Sequence, residues 1–156
     1  MKRVFVIFLF IVTMISYQNV IFASYSNDTF KEELHKEVET LFKERIRVWN
    51  QFLIGEYLSI YEIEKELKEF TVYPLLKDDM EMYKEMIFEP RSFEMISKVK
   101  VKDISIIKNS SNKVKLEARV LWDVSGYVND YSEEILYSVE LEKVKDKWML
   151  SNYKIN

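Results

Sequence analysis

The hydrophobic period of this chain changes close to residue 98. Upstream, apolar residues recur every three or four positions; downstream they alternate. The first pattern belongs to amphipathic helices and the second to half-buried strands, so helices come first and a sheet follows. With two glycines and two prolines in 156 residues, long regular elements and short turns are expected.

The first helix is expected to open at Thr29, where Thr29 and Glu32 fit a capping box. Phe30, Leu34, Val38, Leu41, Phe42, Trp49, Phe52 and Leu53 follow at helical spacing, and Gly55 supplies a stop. A second helix is expected over residues 56–70, with Ile60, Ile63, Leu67 and Phe70 on one face and Pro74 beyond it. A third covers 77–88, turning Met80, Tyr83, Met86 and Ile87 inward and ending before Pro90. Its acidic set Asp78, Asp79, Glu81 and Glu85 lacks the glycine and spacing of a calcium loop, and reads as a helix start with a solvated face.

Strands are expected over 99–107, 114–122, 134–144 and 147–155, with a hairpin turn at 109–112 and a tight turn after 144. The fold class is α+β: three N-terminal helices, then a four-stranded antiparallel meander. Unbroken pairing across the first turn places Val99, Val101, Ile107, Val114, Leu116, Ala118, Val120 and Trp122 on one face. Asp103, opposite Ala118, then falls among them, where a carboxylate is costly unless paired or hydrated. A bulge near Lys102 and Asp103 gives the opposite outcome, with Ile104 and Ile106 inward and Asp103 in water, and is the favoured reading.

Residues 1–23 have the pattern of a signal peptide. Lys2 and Arg3 precede an apolar run over residues 4–15, and small residues allow cleavage after Ala23 or Ser26. The alternative is an uncleaved anchor over residues 4–23, which Tyr17, Gln18 and Asn19 interrupt. With no cysteine, the chain carries neither a lipid anchor nor disulfides. Richness in Lys, Ile, Asn and Tyr points to an AT-rich genome, and together these features to a Gram-positive bacterium. The expected location is therefore exported, secreted or associated with the cell envelope, with residues 24–156 as a single domain.

The formal net charge is −3, and no basic stripe is available for a phosphate backbone, which argues against nucleic acid as a partner. Lys98, Lys100 and Lys102 alternate on one strand and read as a face kept soluble. No hydrolase spacing and no glycine-rich phosphate loop occurs, and the single His35 lacks a second metal ligand, so no cofactor is expected. His35 reads as a boundary residue of the first helix.

Trp49 and Gly55 late in the first helix, with YSVELEKVKDKWMLSNYKI at 137–155, resemble the nuclear transport factor 2-like superfamily, in particular its exported Gram-positive members. The resemblance implies a strongly curved sheet wrapped around the helices as a cone with an interior pocket. It spans enzymes, such as ketosteroid isomerase and scytalone dehydratase, and non-catalytic binding or dimerisation modules, so fold does not fix function. None of the enzymes' catalytic motifs can be matched here.

The leading expectation is an exported, non-catalytic module that binds an envelope protein, a small ligand or a second copy of itself. The polar outer sheet face carries Leu121 and Leu136 as a possible contact patch. Candidate ligand-binding residues are Asp103, Tyr61, Trp122 and Trp148. The aromatic set Trp49, Trp122, Trp148, Tyr57, Tyr61 and Tyr137 either lines a pocket or fills the space between sheet and helices, with Trp148 as the last wall of the core. One alternative is an enzyme with Asp103 as base and Tyr61 as donor. Another is a membrane-tethered subunit of a conjugation or secretion complex, touching the membrane only through its N-terminal segment.

Overall fold

The computed structural model describes residues 28–57, 59–89, 94–126 and 128–156 in full. Three helices, α1 (Lys2–Leu53), α2 (Ile60–Leu67) and α3 (Leu75–Phe88), precede four strands, β1 (Met95–Asn109), β2 (Lys113–Ser125), β3 (Tyr131–Val144) and β4 (Lys147–Ile155). The chain divides into two compact units, residues 1–34 and 35–156, and the second carries the sheet. The expected signal segment lies outside the residues described in full.

Helix α1 does not begin at Thr29, which lies in its interior. It ends where glycine allows. Gly55 has φ 75°, its N–H bonds the Phe52 carbonyl and the Glu56 N–H bonds the Gln51 carbonyl, a Schellman stop. Helix α2 spans less than its period implies, and its later start is set by Ser59, which caps it. The Ser59 side chain accepts from the Glu62 N–H, and the Glu62 side chain accepts from the Ser59 N–H. Helix α3 starts at Leu75 and leaves Ile87 exposed, correcting the inward placement of that residue.

The sheet is an open, curved antiparallel meander in the order β1-β2-β3-β4. Strand β2 alternates cleanly, with Val114, Leu116, Ala118, Val120 and Val124 buried, the pattern of a sheet solvated on one side. Strand β1 is longer and breaks register near 97, 102 and 107. The second break pairs Asp103 with Arg119 and Ile104 with Ala118, so Ile104 is buried and Asp103 exposed. The third turns Ile107 outward, against the uninterrupted register. Each bulge bends the strand and increases its twist.

Both outer strands are covered. Side chains of α1 act as partners for β1: Asn50 donates from Nδ2 to the Ile96 carbonyl (2.7 Å) and accepts from the Ile96 N–H (3.2 Å). Glu39 accepts from the Val101 N–H (3.1 Å), and His35 Nε2 lies 3.1 Å from the Val101 carbonyl, a contact that needs the proton on Nε2. His35 is thus a half-buried structural residue. At the other edge, the Val72 N–H bonds the Leu150 carbonyl, and the Leu150 N–H bonds the Phe70 carbonyl.

Candidate functional site

Within the second unit, a cavity of about 240 Å³ opens between α1, α3 and the inner sheet face. Helix α1 contributes Phe42, Arg45, Ile46 and Trp49; Met82 comes from α3, Ile96 from β1, Trp122 from β2 and Tyr153 from β4. On α1 these residues share the face that buries Val38 and Val48, so the helical period that builds the core also supplies one wall.

The wall is rigid because its rings interlock. The Phe42 ring lies 5.7 Å from Trp122 at 81° and 5.6 Å from Tyr153 at 77°, the edge-to-face geometry that the ring quadrupole favours. Tyr137 packs against both Trp122 and Tyr153, and Phe52 meets Tyr83 at 5.0 Å and 75°.

Arg45 is the charged group of the cavity. Its Nε donates to Asp79 Oδ2 (3.2 Å) and its Nη2 to Asp79 Oδ1, and its guanidinium sits 4.8 Å from the Tyr153 ring centroid. The Asp79 side chain is 4% exposed and that of Arg45 21%. Burial works to lower the Arg45 pKa, but Tyr153 and Asp79 together raise it, so the guanidinium stays charged. The pair replaces the expected solvated acidic face at Asp79 and pins α1 to α3. Burial also raises the hydroxyl pKa values of Tyr83, Tyr137 and Tyr153. These phenols stay protonated at neutral pH, as hydrogen-bonding groups rather than bases.

A second polar network lies beside α2. Arg47 donates to Glu44 (2.9 Å), Gln51 (2.7 Å) and Glu66 (2.7 Å), while the Tyr57 hydroxyl donates to Gln51 (2.9 Å). It ties α1 to α2 and contributes nothing to the cavity lining. Among the described residues, no group of three or more His, Cys, Asp or Glu side chains could hold a metal ion.

Of the four candidates from the sequence, the structure brings Trp122 to the cavity. Asp103 stands on the outer sheet face and accepts from Arg119 Nε at 3.1 Å. Tyr61 is 71% exposed on α2. Trp148 is half-buried beside its cross-strand partner Lys143, whose ammonium lies 5.8 Å from its ring centroid. The core wall expected of Trp148 is formed by Leu150, which is fully buried, and Met149. Leu121 and Leu136 lie among outer ion pairs that include Lys115–Glu140 and Arg119–Glu134.

No protein-family model matches the chain, and no curated protein matches it. Among solved structures, the intermembrane-space region of the chloroplast protein ARC6 is similar with a TM-score of 0.48 and 12% identity, over 78% of this chain and 95% of that one. Among the described residues, no helix is long and apolar enough to cross a membrane.

Proposed function

We propose that the chain is an exported, non-catalytic binding module of the bacterial cell envelope or medium, a member of the nuclear transport factor 2-like superfamily, whose cavity takes an apolar anchor side chain of a partner protein. The size of the cavity carries this reading. Sites for drug-sized molecules run from about 300 to 1,000 Å³, whereas a cavity of about 150 Å³ already holds one benzene ring. At about 240 Å³, this cavity suits one anchor, and interface anchors sit in such rigid pockets. The polar groups around it also have structural work: Arg45 binds Asp79, Asn50 binds Ile96 and Trp49 Nε1 donates to the Glu94 carbonyl. The signal-like N-terminus supports export.

A photo-crosslinking amino acid placed at Met82 in the full chain, expressed in its own host, tests the reading. The expected result is a discrete protein adduct that disappears when Ile46→Trp fills the cavity. An adduct at twice the chain mass identifies the partner as a second copy. An adduct that forms only from position 136 moves the contact to the outer sheet face and overturns the reading. A small molecule retained in the native mass spectrum, with no adduct, replaces the partner with a free ligand.

A further inference from the structure

We propose that an extended, basic segment of another protein chain pairs with β3 along residues 131–135 and continues the sheet beyond the end of β4. This surface is separate from the cavity and does not depend on it. The slot exists because the last two strands differ in length: β3 has 14 residues and β4 has 9. Their register is set at the tight turn, so β4 runs out opposite Tyr137, which pairs with Ile155. The Asn156 N–H still reaches the Leu136 carbonyl. Beyond it, residues 131–135 pair with β2 on one side, and no described strand lies on the other.

The register fixes which main-chain groups face this gap. The bond from Asn156 to Leu136 shows that even-numbered residues of β3 turn their N–H and C=O groups toward the β4 side. No irregularity interrupts the pairing of β2 with β3, so the alternation holds to the start of the strand. The main-chain groups of Ser132 and Glu134 therefore point into the open edge, whereas those of Glu133 and Ile135 point to β2. Outside the strand ladders, no described residue bonds the main chain of Ser132 or Glu134, and both residues are exposed. Two donors and two acceptors in a row are what an added strand uses.

The charge of the edge selects the occupant. Residues 128–136, VNDYSEEIL, hold Asp130, Glu133 and Glu134 and neither Lys nor Arg. Glu94 adds a carboxylate, whose Oε2 accepts from the Tyr131 hydroxyl at 2.7 Å. Arg119, on the adjoining strand, is divided between Asp103 at 3.1 Å and Glu134 at 3.4 Å. Two copies of this edge repel each other, which guards against self-pairing as charges on natural edges do. A strand carrying Lys or Arg meets the opposite field and is admitted. Cross-strand neighbours define the two faces of the slot. Tyr131, Glu133 and Ile135 lie opposite Val124, Trp122 and Val120 on the core side; Ser132 and Glu134 lie opposite Asp123 and Leu121 on the outer side. An incoming strand that alternates Lys with Val sets its lysines beside Glu134 and its valines beside Ile135.

Amide NMR on the ¹⁵N-labelled full chain tests the slot. In the free chain, the Ser132 and Glu134 amides are expected to exchange about tenfold faster than those of Glu133 and Ile135. The end-blocked peptide Lys-Val-Lys-Val-Lys-Val is then titrated in. It should move the Ser132 and Glu134 amide protons downfield, slow their exchange, and bind more weakly as salt rises. Methylating its lysine amide nitrogens, which face β3 in this pairing, should weaken binding about fivefold, the effect of one ordinary hydrogen bond. Methylating the valine amides, which face away, should not. The peptide Glu-Val-Glu-Val-Glu-Val is expected not to bind. Ser132→Pro removes one N–H from the open edge, a place where sheets accept proline, and should also weaken the lysine peptide about fivefold. Ser132→Ala, which loses only the hydroxyl bond to Asp123 (2.6 Å), should bind it normally.

Slow exchange at Ser132 and Glu134 in the free chain means that the edge is already covered and overturns the proposal. Undiminished binding of the lysine-methylated peptide shows that charge alone holds it and overturns the pairing, whether or not Ser132→Pro folds. Equal binding of the glutamate peptide overturns the basic partner. If the lysine peptide moves neither amide at millimolar concentration, the edge is not an interaction surface, and the cavity reading stands or falls on its own crosslinking test.

Discussion

Arg45 and Asp79 make the interaction on which the cavity depends. Removing one partner leaves the other charge buried, so Asp79→Ala is expected to cost about 3–5 kcal/mol, measured from the urea midpoint. Replacing both, Arg45→Met with Asp79→Leu, should recover most of that loss, because an apolar pair of similar volume avoids the desolvation of two ions. Both positions were visible in the sequence as charges on apolar stripes. Arg45 follows Phe42 and precedes Val48 and Trp49, and Asp79 sits between Leu75 and Tyr83. Reading Asp79 as an N-terminal charge hid it, and helical period alone does not say which two helices face each other. Glu39 provides a pH test. Its hydrogen bond from Lys43 is the largest influence on its carboxyl; with the Val101 N–H it outweighs the opposing effect of burial and holds the pKa below 4.5. A depressed folded-state pKa gives stability that is present above about pH 4.5 and lost as pH falls through the folded value. The stability gap between the native chain and Glu39→Gln should therefore narrow between pH 7 and pH 3 in thermal melts. A constant gap would show that the contact does not depend on ionisation.

The elements were legible where the period was long and regular, and less so where a single residue redirects the backbone. Four strands and three helices follow from alternation and helical spacing, and the clean pattern of β2 fixes its buried face. The bulge at Lys102 and Asp103 was readable because Ile104 and Ile106 conflict with unbroken pairing. The outward turn of Ile107 was not, since it depends on a further break near the hairpin. The turn joining β3 and β4 has Lys145 at φ 49° and Asp146 at φ 67°, the pair of positive values that a type I′ turn needs. Lysine is poorly suited to that conformation, whereas Asn-Gly is the preferred pair. Replacing Lys145→Asn and Asp146→Gly together is expected to raise stability by about 1 kcal/mol, seen as a higher urea midpoint with an unchanged slope. No gain would mean that the present turn is already relaxed by its flanking pairs.

An open sheet has two edges, and the body formed by residues 35–156 treats them differently. Main chain covers β4 at Leu150, whereas β1 is covered at Ile96 and Val101 by side chains of α1. Helix α1 therefore does two jobs: one part of its surface walls the cavity, while Asn50, Glu39 and His35 close the sheet against other chains. An uncovered edge is a template for strand pairing, and the amide of Asn50 occupies both the donor and the acceptor of Ile96. Asn50→Ala should cost about 2–3 kcal/mol, since two partly buried backbone groups lose partners together. It should also make the chain associate through β1, seen in sedimentation as a concentration-dependent increase in mass absent from the unmodified chain. Asn50→Asp separates the two effects, because a carboxylate still accepts from the Ile96 N–H but repels the Ile96 carbonyl. Its stability should fall while the charge at the open edge keeps the chain from pairing, as charged residues do on natural edge strands. If Asn50→Ala loses stability without gaining mass, the sheet is protected by its curvature and by its ion-paired outer face, and the amide contributes only hydrogen bonds.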